Sequence, residues 1–216
     1  MGEIDRPGPG EELNTAGRVT PPRLAATVIL LRGGADTLEL LLVKRNPEAR
    51  FMGGVWVFPG GAVDRHEGEG DAALRTAAVR ELEEEAGVVL DDPAALVPFS
   101  RWITPAEVKI RFDTWFFLAP APAYDVEIRI DEQEAVDWGW YTPQAALDAH
   151  KAGEILLVFP TIKHLEQLAP FGSVDALVEH ARGKEVLPVQ PKVVMGGETA
   201  RVLLPGEPGY DEATEV

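Results

Sequence analysis

The segment that most constrains this chain is a strand ending in Pro59-Gly60-Gly61, followed by the loop 64–70 and then a helix expected over residues 71–86. Asp71 is a suitable N-cap for that helix and Gly87 a suitable C-terminal stop. Ala78, Val79, Leu82 and Ala86 form one apolar stripe that should face a core. At ~100° per residue, Glu84 stands ~60° to one side of Glu81 and Glu85 ~40° to the other. Three carboxylates therefore share one arc, on a face separate from the apolar stripe. Like charges at i and i+4 cost a helix roughly a few tenths of a kcal/mol, and a hard cation such as Mg²⁺ would relieve that repulsion. A run of glutamates by itself is more often a solvated face. Here the glycine turn offers bare backbone to a ligand, and Arg80 can fork onto a neighbouring carboxylate.

The remaining segments supply the parts of an α/β fold. Residues 24–31 and 38–45 read as two strands joined through the turn RGGADT, and 55–63 as a strand broken at Pro59-Gly60-Gly61. Further strands are expected at 96–103, 109–119 and 135–141, and helices at 144–152, 161–169 and 174–182. No internal repeat or domain boundary interrupts residues 23–182. Residues 1–22 read as a flexible arm, and 183–216 as an extension with a small hairpin about Gly196-Gly197 and a Pro/Gly tail.

Composition excludes several functions. Lys+Arg 20 against Asp+Glu 36 leaves a net charge of −16, which disfavours a nucleic-acid partner. The absence of cysteine removes disulfides, thiolate zinc sites and cysteine nucleophiles. No apolar run approaches the ~20 residues that cross a bilayer, so no membrane partner and a cytoplasmic location are expected. His66, His150, His164 and His180 lack metal-ligand spacing.

The glycine turn and acidic helix are similar to the Nudix box, G-x5-E-x7-R-E-U-x-E-E-x-G-U, with U aliphatic. Gly61-x5-Glu67 fits its first part, and Arg80-Glu81-Leu82-x-Glu84-Glu85-x-Gly87-Val88 its second. Twelve residues rather than seven separate Glu67 from Arg80, so a longer loop before the helix is expected and Glu67 is left without an assigned role. The resemblance implies an α/β/α sandwich around a mixed β-sheet. It also implies hydrolysis of a diphosphate joining a nucleoside to another group, with Mg²⁺ or Mn²⁺. Carried over, Glu81, Glu84, Glu85 and the Gly61 carbonyl would hold metal, and Arg80 would lock Glu81 or a neighbour. A base is often supplied by a loop before a late strand. Of Asp131, Glu132 and Glu134, Glu134 is chosen because it immediately precedes the strand, with Glu81 or Glu85 as alternatives.

The stretches VKRNPEARFMGGVWVFPGGAVD, WITPAEVKIRFDTWFFLA and WGWYTPQAAL resemble the coenzyme A diphosphatase branch, of the peroxisomal type and its bacterial relatives. That branch implies coenzyme A or acyl-CoA as substrate, cut to 3′,5′-ADP and (acyl-)4′-phosphopantetheine. Lys44, Arg45, Arg50, Lys109 and Arg111 are candidates to bind the 3′-phosphate. Trp102, Phe112, Trp115 and Trp138 could stack on adenine, although strand aromatics are more often core. The alternatives are an ADP-ribose or NADH-type pyrophosphatase and, disfavoured by the intact box glutamates, a non-catalytic nucleotide-binding regulator. The expected partner is a small-molecule nucleoside diphosphate derivative, with a homodimer left open.

Overall fold

Two apolar runs build the centre of the sheet. The computed structural model describes residues 3–4, 19–34, 36–49, 51–123, 125–196 and 199–213. Its strands and helices begin with β1 (Glu3–Ile4), β2 (Arg23–Arg32), β3 (Glu39–Arg45), β4 (Trp56–Val57), β5 (Gly60–Ala62) and α1 (Gly70–Ala86). There follow β6 (Val97–Ile103), β7 (Phe112–Pro120), β8 (Ala135–Tyr141), α2 (Pro143–Lys151), α3 (Phe159–Leu168) and α4 (Val174–Arg182). The chain ends with β9 (Pro188–Val189), β10 (Lys192–Gly196) and β11 (Thr199–Leu203). β2 is buried without interruption from Ala25 to Leu31, and β3 from Leu40 to Val43. Runs buried on both faces require cover on both sides of the sheet.

Helices supply that cover. Ala26, Val28, Leu30, Leu41 and Val43 meet Leu74, Ala77, Ala78 and Leu82 of α1 on one face. Ile29, Leu31, Leu40 and Leu42 meet Leu147, Leu165, Leu168 and Leu177 of α2, α3 and α4 on the other. Each such Val, Leu or Ile side chain contributes about 1.5–3 kcal/mol by leaving water. The result is an α/β/α sandwich around a mixed sheet of order β4-β3-β2-β7-β6-β9, with β5 beside β2 and β8 beside β3.

One departure from a regular sheet positions the site. β2 and β3 meet antiparallel only at the hairpin, as Leu31↔Leu40 and Arg32↔Glu39. Beyond it β3 pairs with β8, whereas β2 takes up β5, which sets Gly60 beside Thr27 and Gly61 beside Ala26. The break in the predicted strand 55–63 therefore falls at Phe58-Pro59, and the glycines themselves are paired strand. A Cβ at Gly60 would collide with the backbone of Ala26 and Thr27, so no larger residue sits there without displacing β2.

Other expectations shift by a few residues. α1 starts at Gly70 with Glu69 at the N-cap, and Asp71 instead binds Arg75 one turn on, at 2.6 Å. Gly87 ends the helix in the left-handed region at φ 67°, as expected of a glycine stop. Of the twelve residues between Glu67 and Arg80, only Gly68 and Glu69 lie outside the helix, so the additional residues lengthen α1 rather than the loop. β7 begins at Phe112, three residues later than expected, because residues 109–111 belong to the turn that Arg111 braces. In the C-terminal extension, β10 and β11 form an antiparallel hairpin, and β9 joins the main sheet parallel to β6. Glu3–Ile4 of the N-terminal arm pairs with β11; the rest of the arm up to Arg18 lies outside the described residues, as does Gly197. Among the described residues no helix is long and apolar enough to cross a membrane.

Candidate active site

The second half of α1 carries the acidic residues, and they are unevenly buried. Glu81 and Glu85, one turn apart, are buried alongside Leu82, with Glu85 only 2% exposed; the Glu84 side chain is 54% exposed. The expected separation of the carboxylate arc from the apolar stripe is therefore corrected. β5 crosses this part of the helix, so the row containing Glu81 and Glu85 is roofed by backbone rather than by water. A Cβ at Gly61 would stand within 2.6 Å of the Glu81 Oε2, so a larger residue there would push the Glu81 carboxylate aside. The Gly60 amide donates to Glu85 Oε2 at 2.9 Å. This contact was not read from the sequence, where the glycines signalled only close approach.

Arg80 organises the cluster. Its Nε donates to Glu67 Oε1 at 2.9 Å and its Nη1 to both Glu81 Oε1 and Glu84 Oε2, each at 2.8 Å. Nη2 donates to the Ala62 carbonyl at 3.1 Å and to Glu67 Oε2 at 3.4 Å. All three guanidinium nitrogens are thus engaged with acceptors of the protein itself. Glu67 acquires a definite place despite the altered spacing: its side chain is 1% exposed, and the short 3-10 turn Arg65–Glu67 delivers it to Arg80. Burial works against its charge, but Arg80 and the Asp64 amide outweigh burial and hold the carboxyl below its usual range.

Electrostatics separate the other carboxylates. Burial pushes Glu85 up to about 7, with Glu81 and Glu134 adding repulsion that the Gly60 amide and Arg45 only partly offset. Glu81 is also raised, first by burial, with further repulsion from Glu84 and Glu134 and an opposing contribution from Arg80. The β8-side loop therefore brings Glu134 close enough for its charge to act on both helix glutamates. The loop is fixed by Asn46 at the end of β3, whose amide donates to the Glu134 carbonyl at 2.8 Å and whose Nδ2 donates to the Gln133 carbonyl at 3.0 Å.

A carboxyl with a higher pKa folded than unfolded binds its proton more tightly in the folded state. The stability it contributes is then complete at low pH and is lost as pH rises through the folded value. For Glu85 the window runs from the ordinary 4.5 to about 7. In metal-free protein, the unfolding free energy is expected to fall by up to ~3 kcal/mol across that window because of this residue. Glu67 has the opposite sign, and its contribution is lost only below the carboxylate range. Urea titrations from pH 5 to pH 8 in EDTA check the expectation; equal slopes for wild type and Glu85→Gln would refute it.

A cavity of about 400 Å³ opens onto Gly60 and Gly61. Phe51, Phe58, Trp102, Phe112, Phe116 and Phe159 make much of its wall, and among the described residues its charged lining consists of Arg23 and Arg45. Arg45 Nη1 lies 3.5 Å from Glu85 Oε1, while its Nε is buried without a hydrogen-bond partner among the described residues.

The other predicted cations fare differently. Arg111 is 6% exposed and donates to the Thr104 and Thr20 carbonyls at 3.0 and 2.7 Å, so in this structure its guanidinium braces the β6–β7 turn. Lys44 and Lys109 do not reach the cavity wall, and Arg50 lies outside the described residues. Arg23 was missed, although its alternation with Ala25 and Thr27 along β2 put it on the same face. Of the aromatics considered for stacking, Trp102 and Phe112 line the cavity, while Trp115 and Trp138 do not. His66 is an exposed neighbour of Asp64, and His164 is fully buried, with its pKa pushed down to about 3 by burial.

Together these features define an α/β/α enzyme in which a glycine strand separates a buried acidic helix from an arginine-bearing pocket. The chain belongs to the Nudix family: the NUDIX domain model matches residues 21–158. It is 29% identical over 231 residues to a nudix hydrolase of Caenorhabditis elegans, covering 90% of this chain and 77% of the relative. It is 25% identical over 284 residues to the acyl-coenzyme A diphosphatase NUDT19 of Homo sapiens, covering 84% and 74%. Among solved structures, a NUDIX hydrolase from Alicyclobacillus acidocaldarius superposes with a TM-score of 0.68 at 26% identity, over 74% of this chain and 96% of that one. The NUDIX domain of Shewanella oneidensis NrtR, complexed with ADP ribose, shares the fold at a TM-score of 0.51 and 20% identity, over 68% and 86%. The protein is accordingly a Nudix hydrolase that cleaves diphosphate linkages.

Proposed function

We propose that the enzyme hydrolyses the diphosphate of coenzyme A or acyl-CoA, releasing 3′,5′-ADP and (acyl-)4′-phosphopantetheine. The observation that carries this reading is the cavity against Gly60 and Gly61, which offers a largely apolar chamber beside a site for phosphates. Similarity to the NUDT19 acyl-coenzyme A diphosphatases supports it. Arg45, with its unpaired buried Nε, and Arg23 are the cations suited to the substrate's phosphates.

The donor set suits Mg²⁺ or Mn²⁺. Glu81 and Glu85 are hard oxygen donors whose charges are disfavoured by burial and by each other, and Gly61 brings its backbone against Glu81. Glu81, Glu84, Glu85 and the Gly61 carbonyl are the proposed ligands. Among the described residues no three acidic or histidine side chains converge as a ready-made cation cage, consistent with Arg80 Nη1 standing between Glu81 and Glu84. When bound, the ion neutralises diphosphate charge and acidifies water. Glu134 accepts the proton of the attacking water as the new P–O bond forms. The bridging P–O bond breaks and the departing phosphate keeps its electron pair. Glu67, through Arg80, keeps Glu81 in place.

Substrate competition tests the reading. Cleavage of acyl-CoA is expected to exceed that of ADP-ribose by about tenfold or more in kcat/KM, equivalent to about 1.4 kcal/mol of differential transition-state binding. Faster cleavage of ADP-ribose would overturn the assignment to CoA while leaving the hydrolytic site intact.

A further inference from the structure

The C-terminal extension lies beyond the family match at residues 21–158, yet it reaches the same cavity as the glycine strand. β9 pairs with β6 at Arg101↔Pro188 and Trp102↔Val189, which carries the chain past Trp102, a cavity residue. Pro191, Val193 and Val202 then line the cavity. Val193 and Val202 are direct cross-strand partners in the β10–β11 hairpin. Both therefore project from one face of the ribbon, and the next pair, Val194↔Arg201, occupies the other.

The hairpin is held by the tail that follows it. Lys192 Nζ donates to the carbonyls of Tyr210 and Ala213 at 3.0 and 2.8 Å and sits 4.6 Å above the Tyr210 ring. The Tyr210 hydroxyl donates to the Gln190 carbonyl at 2.7 Å. Residues 190–192 at the base of the hairpin are thus clasped by residues 210–213.

The chemistry of this wall selects what rests on it. Among the described residues, Pro191 and the hairpin's Val193 and Val202 are what the extension contributes to the lining, all three apolar, whereas Arg23 and Arg45 come from β2 and β3. A phosphate or ribose placed against the valines would lose water without gaining a hydrogen bond, and an alkyl chain would gain by burial. Resting on the acyl-CoA reading above, we infer that the C-terminal hairpin is a specificity wall of the active site. Val193 and Val202 pack against the apolar arm of the substrate, so preference for acyl-chain length is set by residues outside the matched domain.

The test compares kcat/KM for octanoyl-CoA and acetyl-CoA in the full-length enzyme with Mg²⁺. Val202→Trp, which fills the cavity at the hairpin, is expected to lower the octanoyl-to-acetyl ratio by about tenfold or more, chiefly through KM. Val202→Thr keeps the side chain's shape while adding a hydroxyl, and should lower the ratio in the same direction by about threefold. Because this near-isosteric change is small, it provides a folded variant if the tryptophan is not tolerated; thermal melting confirms folding in each case. An unchanged ratio in a folded variant, with wild type still cleaving acyl-CoA, overturns the hairpin assignment alone. Wild-type preference for ADP-ribose over both thioesters overturns the acyl-CoA reading, and the hairpin inference falls with it.

Discussion

Glu85→Gln is expected to reduce kcat by about 10²-fold or more while the protein remains folded. Glu85 is the most buried of Glu81, Glu84 and Glu85 and lies against the Gly60 amide on the strand that borders the cavity. Glutamine keeps an oxygen for that amide but loses the charge proposed to hold a cation. Melting without metal at pH 8 should hold or rise, because a buried carboxylate raised to about 7 no longer has to ionise. Glu84→Gln makes the useful comparison: its side chain is 54% exposed and pairs with Arg80, so its apo stability should change little. Near-normal turnover of Glu85→Gln at saturating Mg²⁺ would remove this residue from the chemistry.

Arg80→Met should lower stability by about 3 kcal/mol or more. The substitution leaves Glu67, whose side chain is 1% exposed, without its cation, and it also frees Glu81 and Glu84 from Nη1. An uncompensated buried carboxylate is more costly than the loss of an exposed pair. Lysine should not substitute, because one ammonium cannot span Glu67, Glu81, Glu84 and the Ala62 carbonyl at once. Adding Glu67→Gln to Arg80→Met should recover part of the loss, since the orphaned charge is then gone. Urea denaturation of the two single variants and the double variant measures the coupling; strictly additive losses would show that Arg80 and Glu67 do not act as a unit.

The legible parts of this protein were those governed by neighbours in sequence. The apolar runs of β2 and β3, the αL stop at Gly87, and β8 and α4 at their expected positions all follow from local periodicity and terminator chemistry. That Arg80 can fork onto a neighbouring carboxylate was legible as well, because Glu84 lies one helical turn on. Glu67 was not: its partner is 13 residues away, and whether it meets that partner depends on how the intervening residues divide between loop and helix. The surroundings of Arg111 were not legible either. A basic residue in an expected strand could be named only as a phosphate candidate, and its burial and two carbonyl acceptors arise when the β6–β7 turn closes.

Sequence alone determined the elements, the acidic helix and the family resemblance, since each depends on residue types at short, regular spacing. Tertiary structure decided which carboxylates are buried, because the roof over Glu81 and Glu85 is β5, a strand drawn in where β2 and β3 part. It also brought Glu134 to Glu81 and Glu85 across the sheet and folded Val193 and Val202 into the cavity wall. Those juxtapositions join segments tens of residues apart, and their formation depends on chain closure and packing around one core rather than on any local preference.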